Sequence, residues 1–186
     1  MALEILIVDD EADIRDLTAG ILEDEGYQTR KASNSDEALS AIVSRRPSMV
    51  LLNIWLKGSE LDGIEILEAI MSDYPGIPVV MMSGHGNIET AVTAINLGAY
   101  DFIEKPFNSD RLLLITARAL EASRLRRENE ELRQRAGTEN DLIGKSAAIN
   151  QVRMSIEKVA PANSRVLVSG PAGSGKEVAA RLLHPM

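Results

Sequence analysis

Short apolar runs alternate with amphipathic stretches from the first residues onward. Leu3-Glu4-Ile5-Leu6-Ile7-Val8 is a partly β-branched run that ends at Asp9-Asp10. Ala12 to Glu25 then places Ile14, Leu17, Ile21 and Leu22 at helical spacing before Gly26 stops it. The alternation continues with a strand over Tyr27–Lys31 and a helix opened by Ser35-Asp36-Glu37, carrying Ala38, Leu39, Ile42 and Val43 and ending before Pro47. Ser48–Leu52 reads as a buried strand, and Ile64, Leu67, Ile70 and Met71 as a third helix. Ile77–Met82 is a fourth strand, and Ile88, Ala91, Val92 and Ile95 mark a fourth helix closed by Gly98. Tyr100–Glu104 is a fifth strand, and Ser109 starts a fifth helix.

Strands that are apolar nearly throughout belong to parallel sheets covered on both faces. Five β/α repeats over residues 1–120 therefore predict a doubly wound α/β domain with a five-stranded parallel sheet. The helical pattern from Ser109 does not stop until about Ala136. Within it Ala122, Leu125, Asn129, Leu132 and Ala136 are spaced 3, 4, 3, 4, the seam of a dimerising coiled coil over 109–136 with one polar register position. Gly137 to Asp141 reads as a hinge-like linker, and Leu142-Ile143-Gly144-Lys145-Ser146 opens a new segment that runs to residue 186.

Composition narrows this picture. Aromatic residues make up 3% of the 186, so the core must be aliphatic. No apolar run approaches the ~18 residues that span a bilayer, and the acidic N-terminus does not read as a signal peptide. The absence of cysteine excludes disulfides and thiolate metal sites and fits a cytoplasmic protein. Net charge is -8; the arginines between Arg111 and Arg135 are interleaved with Glu121, Glu128, Glu130 and Glu131, a solvated helix face and not a DNA-binding patch.

In doubly wound sheets functional groups gather at the carboxyl ends of the strands. Here those ends supply Asp9, Asp10 and Glu11, then Asn53, then Ser83-Gly84, then Lys105-Pro106. Adjacent carboxylates repel unless a cation or proton lies between them, and oxygen ligands suit a hard ion such as Mg²⁺. Lys105 and Ser83 could grip an anion beyond that ion. Taken singly, each residue has a plainer reading: Glu11 a helix cap, Ser83 a turn residue, Phe102 core, Lys105 a surface charge, His184 a terminal surface residue.

The joint set Asp9/Asp10, residue 53, Ser83 and Lys105-Pro106, with its separations of thirty and twenty-two residues, resembles the receiver domain of two-component response regulators over residues 3 to 120. That resemblance implies a flavodoxin-like (βα)5 fold, Mg²⁺ bound by Asp9, Asp10, Asn53 and the Trp55 carbonyl, and phosphoryl contacts from Ser83 and Lys105. It implies a switch made by Ser83 and Phe102, and a cis bond before Pro106. The position of Asn53 is an aspartate in the family, which attacks the phosphoryl donor. A side-chain amide cannot form the acyl phosphate, although its oxygen is expected to ligate Mg²⁺ weakly. Asn53 is then either a deliberate block that traps the unphosphorylated state or a natural, phosphorylation-independent dimerisation or interaction receiver. The loop Ile54–Gly63, two residues longer than usual and without proline, is similar to the NtrX branch of nitrogen regulators.

Farther along, Val166–Ser169 is expected as a strand, followed by Gly170-Pro171-Ala172-Gly173-Ser174-Gly175-Lys176-Glu177, a phosphate-loop pattern with Glu177 where Ser or Thr is usual. With the Ile-Gly-Lys-Ser start, it resembles the AAA+ domain of sigma-54-dependent activators. The resemblance implies nucleotide contacts at Gly170, Gly173, Gly175, Lys176 and Glu177. Residues 142–186 hold no acidic strand, arginine finger or helix-turn-helix, so they are expected to be a truncated, poorly folded and inactive part of that domain, with ATP bound only in a full-length protein. The implied partners are a cognate sensor histidine kinase and a second copy of the chain. That copy would meet the face of the fourth helix, fifth strand and fifth helix (Ala91, Ile95, Tyr100, Arg111) and the linker helix. DNA and sigma-54 RNA polymerase would be reached only through further domains.

Overall fold

The computed structural model describes residues 3–84, 88–139, 142, 144, 146–161, 165–171 and 173–183, with the side chains of 135–139 outside that description. The chain divides into two compact units, residues 1–127 and 128–186.

In the first unit five parallel strands lie in the order β2-β1-β3-β4-β5: β1 Glu4–Val8, β2 Gln28–Ala32, β3 Met49–Asn53, β4 Val79–Ser83 and β5 Asp101–Glu104. The intervening helices are α1 Ala12–Asp24, α2 Ser35–Ser44, α3 Gly63–Asp73, α4 Ile88–Asn96 and α5 Ser109–Glu139. β1, β3 and β4 are buried along their whole length. Because successive strand residues face opposite sides, Leu6, Val8, Val50, Leu52, Val79 and Met81 form one core with α2, α3 and α4. Ile5, Ile7, Met49, Leu51, Val80, Met82 and Ile103 form the other with α1 and α5. Both cores are aliphatic, as the composition requires. The strand order reverses between β1 and β3, which opens a crevice at their carboxyl ends.

Several expectations change in detail. Along α1 Leu22 is buried and Ile21 packs against the core as the spacing predicts, with Thr18 and Ala19 buried beside them, while Leu17 stands exposed. Of α4 only Ala94 is buried, so Ile88, Val92 and Ile95 lie open. Glu11 sits at the N-cap of α1 without a side-chain capping bond. The helix α5 runs through Gly137 to Glu139, past the expected hinge at 137, because one glycine costs a long helix only about 1 kcal/mol.

The second unit contains α6 Ala147–Val159 and α7 Lys176–Leu183. α6 is capped by Ser146, whose hydroxyl accepts from the Ile149 N–H, and none of its residues is buried. Residues 165–170 do not form the expected strand: no strand pairs with them among the described residues, and an unpaired segment has no ladder. Of the expectations for this stretch, Ala172 and His184 lie outside the described residues.

Candidate functional site

β1 ends by delivering Asp9 and Asp10 into the crevice. Asp9 is fully buried. Its backbone is held on both sides, by its own N–H donating to the Ala32 carbonyl (3.1 Å) and by Arg15 Nη1 donating to its carbonyl. One carboxylate oxygen accepts from the Glu11 N–H (3.1 Å); the other pairs with Lys105 Nζ. Both partners of that pair are out of solvent, the lysine side chain 9% exposed and the aspartate 0%.

Asn53, 5% exposed, ends β3 directly across from them. Its Nδ2 donates to the Trp55 carbonyl (2.7 Å) and to Asp10 Oδ1 (3.0 Å), and lies 3.4 Å from Asp9 Oδ1. Three oxygens from two strands thus surround one nitrogen. Ser83, buried at the end of β4, and Lys105 after β5 are tied together by the Lys105 N–H donating to the Ser83 carbonyl (2.7 Å). The bond from Lys105 to Pro106 is cis. Trp55 presents its carbonyl to the site although the residue as a whole is 58% exposed. Phe102 packs against the core formed with α2, α3 and α4.

The loop bearing Trp55 is fastened at two places. At its base the Gly63 N–H donates to the Ile54 carbonyl (2.8 Å), and a side chain at Gly63 would come within 2.2 Å of the Asn53 carbonyl oxygen. Glycine is therefore needed here for close backbone approach. Midway, the Ser35 N–H donates to Ser59 Oγ (2.9 Å) and the Leu61 N–H to Ser35 Oγ (3.4 Å). Asp62 and Glu65 close a capping box on α3. Sequence reasoning missed Arg15, Gly63 and the Ser35–Ser59 link. Only Gly63 left a signal, as the glycine following a capping aspartate.

The oxygens of Asp9, Asp10 and Trp55 suit a small divalent cation in chemistry and in convergence. The set has two carboxylates, and among the described residues no group of three or more His, Cys, Asp or Glu gathers as a metal site. The fourth expected ligand, Asn53, turns its NH₂ and not its oxygen toward the other three.

In the second unit Gly173 (φ +80°) and Gly175 (φ +76°) take the left-handed backbone that glycine allows, just before Lys176 opens α7. Lys176 Nζ donates to the carbonyls of Gly170 (2.8 Å) and Pro171 (2.6 Å), and Glu177 pairs with Arg181. N–H groups at a helix start beside an ammonium make an anion cradle.

Residues 5–117 match the response regulator receiver domain family, and residues 142–186 match the sigma-54 interaction domain family. The nitrogen assimilation regulatory protein NtrX of Azorhizobium caulinodans is 59% identical over 184 residues, which cover 99% of this chain and 40% of that protein. The crystal structure of the NtrX receiver domain from Brucella abortus is 64% identical, with a TM-score of 0.62, covering 63% of this chain and 98% of that one. NtrX from Brucella abortus in complex with ATP is 58% identical with a TM-score of 0.72, covering 99% of this chain and 40% of that one. The chain thus spans about 40% of the length of the longer relatives it matches.

Proposed function

The chain belongs to the response regulator receiver family, and from that premise we propose that it is an NtrX-like receiver held in its unphosphorylated form by Asn53. The observation that carries the reading is the amide of Asn53 at the end of β3, bonded to Asp10 and the Trp55 carbonyl and flanked by Lys105 and Ser83. An attacking group here would need a free anionic oxygen. The amide has none, and its nitrogen lone pair is delocalised.

Asp9, Asp10 and the Trp55 carbonyl are the groups that would hold Mg²⁺, which when bound supplies positive charge against a phosphoryl group. Lys105 and Ser83 would steady that group's oxygens. A sensor histidine kinase is the donor in this reading. A second copy meets the face of α4, β5 and α5, where Ile88, Val92 and Ile95 are exposed, and the seam of α5, where Leu125 and Leu132 are exposed. In a full-length protein Lys176 and the glycines before it would take ATP phosphates; the similar NtrX of Brucella abortus forms a complex with ATP. ATP turnover, sigma-54 RNA polymerase and DNA contacts belong to segments that the longer relatives carry, and no turnover is assigned to this chain.

Intact mass after incubation with a small phosphodonor and Mg²⁺ tests the reading. The chain keeps its mass, and Asn53→Asp gains one phosphoryl group. Stable phosphorylation of the unaltered chain at residue 53 defeats the lock; failure of Asn53→Asp to gain it defeats the assignment of this position.

A further inference from the structure

We infer that the Asn53 amide takes the place of the divalent cation in this site, so that Mg²⁺ must displace the NH₂ group and gains no ligand from residue 53. The inference rests on the reading of residue 53 as the phosphoacceptor position.

The orientation of the amide is set by its surroundings. Three acceptor oxygens lie at 2.7, 3.0 and 3.4 Å from Nδ2. Turning the amide over would press its oxygen against two carboxylates and a carbonyl and forfeit both short hydrogen bonds. The network therefore decides which end faces in. Those three oxygens are also the set on which a cation would be centred. An ion at about 2.1 Å from each and a nitrogen at hydrogen-bond distance from the same atoms claim one small volume, and only one of them fits.

Charge leads to the same conclusion. The site holds the carboxylates of Asp9 and Asp10 and the ammonium of Lys105, so two negatives and one positive leave one negative. Asp9 already spends one oxygen on Lys105 and the other on the Glu11 N–H. The amide hydrogens cover the remainder. With aspartate at 53 the sum would be three negatives and one positive, leaving two negatives, the complement of a divalent ion. Burial of Asp9 and Asn53 strengthens each of these interactions relative to water.

A sign test separates an amide that occupies the site from one that ligates. Trp55 is the single tryptophan, and its carbonyl is one of the three oxygens. Mg²⁺ titrations of the 186-residue chain are therefore read by its fluorescence, beside thermal unfolding in EDTA and in excess Mg²⁺. Asn53→Ala deletes both the NH₂ and the amide oxygen. It is expected to bind Mg²⁺ about tenfold more tightly than the unaltered chain, with Asn53→Asp tighter still. Excess Mg²⁺ is expected to raise the unfolding midpoint of Asn53→Asp by more than that of the unaltered chain, each measured against EDTA. An Asn53→Ala variant that binds Mg²⁺ no better than the unaltered chain overturns the inference, because the amide oxygen was then a ligand. Should the alanine variant not fold, the aspartate variant decides: an unaltered chain binding Mg²⁺ as tightly as Asn53→Asp overturns it equally. Phosphoryl uptake by Asn53→Asp is scored separately. Its loss with the Mg²⁺ order intact removes the phosphoacceptor reading and leaves the amide in the cation's place.

Discussion

The two ends of the same sheet each bury an acid, and they use it differently. At the amino end Glu4 is 7% exposed and pairs with Arg30 (2.6 Å) and Arg45. Arg30 goes on to donate to the carbonyls of Ala41 (2.7 Å) and Arg45, which fastens the end of α2. Burial lowers the Arg30 pKa from its ordinary value, yet two guanidinium groups share one carboxylate, and the partners belong to β1, to β2 and to the end of α2 with the residue that caps it. At the carboxyl end two acids stand beside one ammonium, which pairs with Asp9 while Asp10 accepts from the Asn53 amide, and the partners come from the end of β1, from β3 and from the segment after β5. A buried charge by itself therefore says little about function. A surplus of acids converging from several strands does, because such a set needs something more to complete it.

Removing one cation from each end measures that difference. Lys105→Met strips fully buried Asp9 of its one ion-pair partner among the described residues and is expected to cost about 3–5 kcal/mol in urea unfolding. Arg30→Met leaves Glu4 with Arg45 and loses hydrogen bonds to α2, for about 1–3 kcal/mol. Equal losses would mean that the amino end has no useful redundancy, and the contrast would fail.

Gly63→Ala comes next. Its Cβ would meet the Asn53 carbonyl oxygen at 2.2 Å and Ile54 Cα at 2.7 Å. Strain of this kind costs about 1–3 kcal/mol, and the emission of Trp55 should shift with its loop. An unmoved spectrum with full stability would show that the loop yields freely and does not position the carbonyl.

The smallest effect concerns an acid in neither of these clusters. The Ser33 backbone N–H, followed by the Ser33 hydroxyl, holds the Glu37 carboxyl below its ordinary pKa. The ionised form is favoured in the fold, so this stabilisation is present above the ordinary value and is lost as pH falls through the lowered one. Glu37→Gln should slightly narrow the gap in Tm between about pH 7 and about pH 3. A wider gap would contradict the sign.

Much of this was legible in the chain itself, because strand endings and their separations are local. The runs of β1, β3, β4 and β5, and the residues at or just past their ends, place Asp9, Asp10, Asn53, Ser83 and Lys105 at one edge from the sequence alone. Periodicity could not tell that Leu17 of α1 stands outside the buried face, nor that the apolar stripe of α4 lies open; both depend on what covers them. The Glu4–Arg30 pair joins residues 26 apart through the register of β1 and β2, which sequence does not state. Nor does the letter N say which end of the Asn53 amide points inward. That follows only from three oxygens supplied by other positions.

The strand that departs most from the apolar pattern has a further consequence. β2 reads Gln-Thr-Arg-Lys-Ala and forms one border of the sheet; β5, only four residues long and bearing Asp101 and Glu104, forms the other. Charges and shortness at a border discourage a foreign strand from adding to it. Because both borders are guarded in this way, association of two copies through sheet extension is disfavoured.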